Sequence, residues 1–481
     1  MNRRMIIYLI GHILTIVALF MLPALGISLY LQERGAAIGL ALSIGLALAL
    51  GIAAIMTRPK DRSLHAREGF VTVGLAWIVV SLFGGLPFFL SGAIPDFIDS
   101  LFEAVSGFTT TGSSILTNVE AMPKGLLYWR SFTHWLGGMG VLVFMLALVP
   151  TGRGSGHSIY LLRAESPGPQ VDKLVPRMRR TAEILYTIYV VMTVVQIILM
   201  LLGGVTLFDS VTITFGTAGT GGFAIRNDSL AGYSPYIQNL VTVFMALFGV
   251  NFSIYYLLLI RSFRTAYKNE ELRAYLGIMI AFTALITVDI LPLYKHVNEA
   301  IRHAAFQVSS IMTTTGYATT DFNLWPQFSR FLLVVLMILG ASAGSTGGGF
   351  KIIRVLILLK SARNSLTRML HPNTVRLTRL NGTVLDEDTI KGTHVYLTLY
   401  GSIALLSMIL VSLDGYSMET NITAVLACFN NIGPGLDLVG PVGNFSGYSH
   451  MSKIVLTIDM LLGRLEIVPM LTLLTPSVWR R

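Results

Sequence analysis

Thr109-Thr110-Thr111-Gly112-Ser113 and, much later, Thr313-Thr314-Thr315-Gly316-Tyr317 are short polar, glycine-bearing stretches set between apolar ones. Each follows a brief amphipathic segment and precedes a long apolar run. The same order recurs around Thr217-Ala218-Gly219-Thr220-Gly221-Gly222-Phe223 and around Asn430-Asn431-Ile432-Gly433-Pro434. Self-similarity on this scale decides the architecture before any local reading. The chain reads as a four-fold repeat.

Composition sets the solvent. The 481 residues are 53% hydrophobic and 12% charged, where a soluble chain carries about a quarter charged residues. A membrane span needs roughly 20 apolar residues, and such runs recur along the chain. Residues 5–31 and 36–56 read as two retained transmembrane helices, the first being too long for a cleaved leader. The net charge of +10 is not a nucleic-acid signature, because most of the 35 basic residues gather in alternate links between apolar runs. These links cover residues 3–4, 58–67, 153–180, 261–273, 351–391 and 480–481. The positive-inside rule places them, and both termini, in the cytoplasm, with membrane lipid and no nucleic acid as the surroundings. The single cysteine, Cys428, excludes an intrachain disulfide and a cysteine-based metal site.

Within the repeat, residues 69–90, 184–202, 276–293 and 395–413 are first spans. Residues 96–108, 209–215, 298–311 and 418–428 are too short to cross, and 126–149, 236–260, 328–359 and 454–474 return. Asp99-Ser100 and Asp209-Ser210 stand equally far ahead of Gly112 and Gly222, which predicts an aspartate N-cap on two of the short helices. Non-helical backbone at membrane depth survives only inside protein or along an aqueous cavity. Four such turns meet on one axis only if the units surround it. The short helices then aim the negative ends of their dipoles inward, which favours a cation. The predicted fold is an all-α integral membrane protein: two N-terminal helices, then four membrane-pore-membrane units around one pore, with about ten transmembrane helices and four re-entrant pore helices.

A threonine-glycine-aromatic turn is similar to the filter of potassium channels, where backbone carbonyls replace the hydration shell of the ion. The candidate ion ligands are Thr110, Thr111 and Gly112; Thr220, Gly221 and Gly222; Thr314, Thr315 and Gly316; and Asn431, Ile432 and Gly433. In the second turn either Gly221 or Gly222 can be the filter glycine, with the aspartate spacing favouring Gly222. Four non-identical strands predict looser discrimination than a symmetric filter.

The third return run is interrupted by Gly340-Ala341-Ser342-Ala343-Gly344-Ser345-Thr346-Gly347-Gly348-Gly349, then Phe350-Lys351. Each glycine costs a helix interior about 1 kcal/mol relative to alanine, so the helix breaks there. A phosphate-binding loop is the competing reading, but the Gly-Lys-Ser/Thr ending is missing. Arg464 is a charge inside the last apolar run, where charges are costly and usually functional. It is either functional or a structural partner of Glu466 or Asp459. His134 reads as a satisfied core histidine.

Taken together, Ser106-Gly107-Phe108-Thr109-Thr110-Thr111-Gly112, Trp135-Leu136-Gly137-Gly138-Met139-Gly140, Met312-Thr313-Thr314-Thr315-Gly316-Tyr317, Asn430-Asn431-Ile432-Gly433-Pro434-Gly435 and Gly463-Arg464-Leu465-Glu466 resemble one family. It is that of the Trk-type potassium uptake membrane subunits (TrkH), in the Trk/Ktr/HKT superfamily, and the resemblance covers essentially the whole chain. It implies potassium as the transported ion, and a homodimer in the bacterial inner membrane. It also implies a cytosolic TrkA-type nucleotide-binding ring as partner, so that nucleotides act there and no organic cofactor sits in this chain. The loop, through Gly344, Ser345, Thr346, Gly347, Gly348, Gly349 and Lys351, is then the gate, together with Arg464, which the resemblance turns toward the pore as a barrier or as a partner of the loop carbonyls. Glycine rather than serine at position 112 resembles the potassium-selective members. The implied divisions are residues 1–60, 61–155, 156–268, 269–385 with the gate loop at 340–351, and 386–481. The basic stretches 153–180 and 363–379 are candidate docking surfaces. No converging nucleophile, base or metal cluster marks an enzyme. An ion-coupled symporter (H+ or Na+), or another secondary transporter with broken helices, is the alternative.

Overall fold

The computed structural model describes residues 2–59, 66–140, 178–372 and 376–479. Helix α1 (Arg3–Phe20) runs almost straight into α2 (Leu22–Tyr30), with Pro23 in the first turn of α2, where its missing N–H costs nothing. Helix α3 (Arg34–Met56) returns along α1. The pair approaches closely through small residues, since a Cβ on Gly11 would lie 2.8 Å from the carbonyl oxygen of Gly51.

One sequence of elements then repeats. First come α4 (Ala66–Leu90), α5 (Phe97–Phe108) and α6 (Lys124–Gly138). The second round is α7 (Met178–Leu202), α8 (Leu207–Ala218) and α9 (Pro235–Phe248), followed by α10 (Phe252–Leu259) and α11 (Phe263–Lys268). The third is α12 (Glu270–Ile290), α13 (Val297–Met312), α14 (Gln327–Leu339) and α15 (Ile352–Leu370). A small antiparallel hairpin follows, β1 (Arg379–Leu380) with β2 (Thr383–Val384). The fourth round is α16 (Glu387–Val411), α17 (Met418–Phe429) and α18 (His450–Arg464), and the chain ends with α19 (Val468–Leu474) and α20 (Pro476–Trp479).

The burial pattern suits a bilayer. The long helices expose apolar side chains such as Leu46, Val194, Ile280, Val288 and Leu405, while the short helices α5, α8, α13 and α17 are buried along most of their length. Among the described residues six helices are long and apolar enough to cross a membrane, or seven if one bent pair counts as a single span.

The remaining four of the expected ten are the return runs, which are not continuous helices. Helices α6, α9, α14 and α18 contain only 15, 14, 13 and 15 residues. The run 236–260 breaks after Phe248 and bends by 89° between α9 and α10. The run 454–474 breaks after Arg464, with Glu466 and Ile467 at positive φ. The run 328–359 breaks over the glycine loop, as the sequence predicts. In the first round α6 ends at Gly138 with Gly140 at φ +78°, and the rest of the run 126–149 lies outside the described residues. Apolar residues resume after each break, so hydropathy averaged over a run does not reveal them.

The aspartate caps need correction too. Asp96 caps α5, its side chain accepting from the Asp99 N–H at 3.0 Å, and Thr206 caps α8, accepting from the Asp209 N–H at 3.2 Å. Asp99 and Asp209 instead occupy the first turn, where carboxylates complement the helix dipole. Helix α8 also extends beyond the expected 209–215. Of the basic stretch 153–180, residues 153–177 lie outside the described residues.

Candidate functional site: a ring of four glycine turns

Each short helix ends in the same way. Its last turn closes with an N–H from Thr111, Gly221, Thr315 or Ile432 to the carbonyl of Ser106, Gly216, Ser310 or Ala427, at 2.8 Å in all four. The preceding residue, Thr110, Thr220, Thr314 or Asn431, is left-handed, at φ +54°, +53°, +58° and +56°. This is a Schellman ending with threonine at three of the four positions where glycine is usual. A left-handed conformation costs a β-branched residue about 1–2 kcal/mol, so the surroundings must enforce it. Thr109 and Thr313 help: each hydroxyl donates to a helix carbonyl and also meets the hydroxyl of Thr111 or Thr315, at 2.7 and 2.8 Å.

After one more residue the chain reaches Gly112, Gly222, Gly316 and Gly433, all at positive φ. Gly222 therefore occupies the structural position of the other three glycines, and Gly221 that of Thr111 and Thr315. Side chains are also excluded here by neighbours. A Cβ on Gly112 would strike the carbonyl oxygen of Gly221, one on Gly222 that of Thr315, one on Gly316 that of Ile432, and one on Gly433 that of Thr111. Each turn abuts the next, and the fourth abuts the first. The four turns form a closed ring whose glycines all line one open cavity.

The residue after each glycine locks its turn to the preceding round. Phe223 lies under the Arg130 guanidinium, 3.5 Å from ring centre to Cζ, and beside His134. Tyr317 donates to the Ile213 carbonyl at 3.0 Å, and Ser113 to the Gly433 carbonyl at 2.9 Å. Pro434 lies against Gly316. His134 is the satisfied core residue the sequence suggests. Its Nδ1 faces the Gly107 carbonyl at 2.8 Å and its Nε2 the Phe223 N–H at 3.2 Å. A carbonyl only accepts and an amide only donates, so the ring is neutral with its proton on Nδ1.

Sequence reasoning missed the support behind the ring. Arg130 Nε pairs with Glu103 at 2.6 Å, both buried, and Arg130 also donates to the Ala224 carbonyl at 2.9 Å. Glu103 accepts from Ser114 and from the Ile115 N–H. Two charges inside apolar runs were the available signal.

The glycine loop lies against the turns of the third and fourth rounds, and none of its residues lines the cavity. The Gly348 N–H donates to the Thr314 hydroxyl at 2.7 Å, and a Cβ on Gly348 would lie 2.5 Å from the Asn430 carbonyl oxygen. Lys351, buried, bonds the Gly347 carbonyl. Arg464 bonds the Thr346 carbonyl at 2.8 Å, and also the Gly137 and Gly138 carbonyls, the latter at 2.8 Å. It therefore caps the end of α6 and holds the loop at once, sharing the Gly137 carbonyl with the Gly140 N–H. Of its alternative partners, Glu466 bonds Arg354 and Asp459 accepts from Ser407 at 2.7 Å. Gly344, Ser345 and Gly349 belong to the same loop; the Ser345 hydroxyl bonds the Ser342 carbonyl at 2.7 Å.

Such a ring presents backbone oxygens without side chains between them, a setting suited to a dehydrated cation. Among the described residues no group of three or more His, Cys, Asp or Glu is arranged to hold a metal ion.

Comparisons with known proteins agree along nearly the whole chain. The family model for TrkH, described as a cation transport protein, matches residues 41–480. The chain is 35% identical to the Trk system potassium uptake protein TrkH of Salmonella typhimurium, covering 88% of both chains. It is 34% identical to the protein of that name from Vibrio parahaemolyticus, covering 100% of both. The crystal structure of the potassium transporter TrkH from Vibrio parahaemolyticus superposes with a TM-score of 0.88 at 31% identity, over 100% of both chains.

Proposed function

Because this chain belongs to the TrkH family of cation transport proteins, a multi-pass membrane family, we propose that it takes up potassium across the bacterial inner membrane through the ring of turns. The cyclic abutment of Gly112, Gly222, Gly316 and Gly433 carries the proposal. The ring is the selectivity filter, and the four rounds are membrane-pore-membrane units of residues 61–155, 156–268, 269–385 and 386–481 behind the two-helix region 1–60. Carbonyls at Thr110, Thr111 and Gly112, and at the matching positions of the other turns, replace the water of the ion. The negative ends of α5, α8, α13 and α17 favour its charge.

In this reading the loop at 340–351 is the gate, a role supported by its contacts with Thr314 and Asn430 beside the ring glycines. Arg464 holds the gate shut and adds a positive charge beside the path. A homodimer and a cytosolic TrkA-type nucleotide-binding ring complete the assembly, with the exposed Arg363, Arg368, Arg376 and Arg379 as one docking surface. The alternating basic links support cytoplasmic termini.

Rubidium influx into liposomes holding the purified protein tests the function. Potassium should compete with rubidium more strongly than sodium does, and Gly316→Ala should abolish influx in a protein that still folds. Absence of cation flux, or wild-type flux in Gly316→Ala, would overturn the proposal. Influx strictly dependent on a proton or sodium gradient would replace the channel with a symporter.

A further inference from the structure

Glu271 sits in the first turn of α12, outside the ring and outside every motif above, yet it is only 2% exposed. Its carboxylate accepts the Ala343 N–H at 2.7 Å. The Ile353 N–H and the Asn251 side chain belong to its electrostatic surroundings. These groups come from three segments. Ala343 lies near the start of the glycine loop, Ile353 just after its end, and Asn251 at the elbow between α9 and α10. Lys351 is a further electrostatic neighbour.

The need for this carboxylate follows from the loop's own chemistry. Helix α15 starts at Ile352, and its N-cap residue is Lys351, at φ +68° and with no cap hydrogen bond. A lysine side chain has no acceptor, so the Ile353 N–H, one of the free donors of the first turn, cannot be satisfied locally. Glu271 brings a negative charge from another helix to the positive end of α15. The same carboxylate holds the loop entrance through Ala343. The elbow adds two backbone bonds to this entrance, Ser342 N–H to the Gly249 carbonyl at 3.2 Å and Phe252 N–H to the Gly344 carbonyl at 3.0 Å.

The neighbouring Glu270 faces the other way. Its N–H donates to the Asn381 side-chain oxygen at 2.8 Å, and its carboxylate accepts the Asn381 N–H at 3.1 Å and bonds Lys360. Asn381 is in the β1–β2 hairpin. The adjacent Leu380 is fully buried against Ile353 and Ile357, with Ala343 at the edge of the same cluster. The hairpin therefore grips the loop's two ends by two routes, through the Glu270–Glu271 pair and through Leu380. Its other face, with Arg379, Gly382, Thr383 and Val384, is exposed.

We infer that Glu271 is the positioning residue that clamps both ends of the glycine loop, and that the 379–384 hairpin is the handle by which the cytosol-facing side sets that clamp. The control of conduction by this clamp rests on the loop being the gate; the clamp itself does not.

Hydrogen exchange of the full-length protein in liposomes reads the clamp without reference to transport. Removing a bond worth about 1.4 kcal/mol raises local opening about tenfold. In Glu271→Ala, exchange at Ala343 and Ile353 should rise about tenfold while peptides of α5, α8 and α17 keep wild-type protection. Glu271→Gln, which retains one acceptor oxygen, should give a smaller rise. Asn381→Ala should raise exchange at Ile353 with Glu271 still in place. Unchanged exchange at both amides in Glu271→Ala, or a rise spread over the whole protein, would overturn the clamp. Loosening confined to residues 379–384 in Asn381→Ala would overturn the handle. Rubidium flux is the second readout: Glu271→Ala should raise unregulated flux several-fold with the potassium-to-sodium preference unchanged, and unchanged flux would remove its role in gating. If the wild type carries no cation, the proposed function fails while the exchange result still decides the clamp.

Discussion

The side-chain amide of Asn431 donates to the hydroxyl of Thr111 at 2.8 Å, joining the last turn of the ring to the first across 320 residues of chain. The same amide donates to the Met460 carbonyl at 2.9 Å. Asn431 is thus the pin that closes the circle, and asparagine tolerates its left-handed backbone better than most residues.

Replacing that pin should be costly. Asn431→Leu keeps similar bulk but removes both donors and puts a branched chain at φ +56°. Each lost bond is worth about 0.5–1.5 kcal/mol and the left-handed branched residue adds about 1–2 kcal/mol, so thermal melts in detergent should fall clearly. Sodium should also compete better against rubidium in liposomes, because the first and fourth turns are then free to separate.

The ring glycines are a steric requirement as well as a conformational one. Gly222→Ala should abolish rubidium uptake, since the new methyl would strike the Thr315 carbonyl in a backbone already at φ +76°. Gly277→Ala is the control. That site, in α12, has open space, and alanine gains about 1 kcal/mol over glycine in a helix. Uptake by cells lacking other potassium transport separates the two outcomes.

Arg464→Ala should raise flux in the absence of any regulator, because it frees the Thr346 carbonyl of the loop and the Gly137 and Gly138 carbonyls of α6. Arg464→Lys should restore closure only in part. A lysine is a point charge on a flexible stem and cannot fork to two segments as a guanidinium does. Single-channel recording of the two variants reads the difference as open probability.

Removing half of the buried pair behind the ring should destabilise it. Glu103→Ala leaves Arg130 charged, buried and unpaired, at a cost of about 3–5 kcal/mol, and releases Ser114 and Ile115 beside the first turn. Melting temperature should drop more than in Glu419→Ala, whose partner Arg330 is far more exposed.

Outside the spans, Asp437 accepts hydroxyl bonds from Thr420 and Ser417 at 2.6 and 2.7 Å, and these hold its carboxyl below the usual aspartate value. A depressed folded value gives stability that is fully present above the unfolded pKa of about 3.9 and is lost as pH falls through the folded one. The melting difference between wild type and Asp437→Asn should therefore be constant from neutral pH to about 4 and close below it.

Much of this was legible without coordinates. The two threonine-glycine stretches, the four short helices and the interrupted run at 340–349 are local features, set by glycine content, polarity and the number of apolar residues a bilayer demands. They agree with the observed boundaries of α5, α13 and α17 within a residue or two. Errors arose where a local pattern admits several partners. The equal spacing of Asp99 and Asp209 was real, but the cap lay at Asp96 and Thr206. The runs 236–260 and 454–474 looked continuous because hydropathy does not register a change of backbone direction.

Sequence by itself determined that the chain is helical, membrane-embedded and four-fold repetitive, because bilayer length, charge distribution and glycine placement act over a few neighbouring residues. The tertiary structure alone decided that Gly222 is the ring glycine of the second turn, that Thr111 and Asn431 meet, and that Arg464 serves carbonyls of α6 and the loop. Those outcomes depend on orphaned backbone groups finding partners hundreds of residues away, and a broken helix names its missing bond without naming the side chain that will supply it.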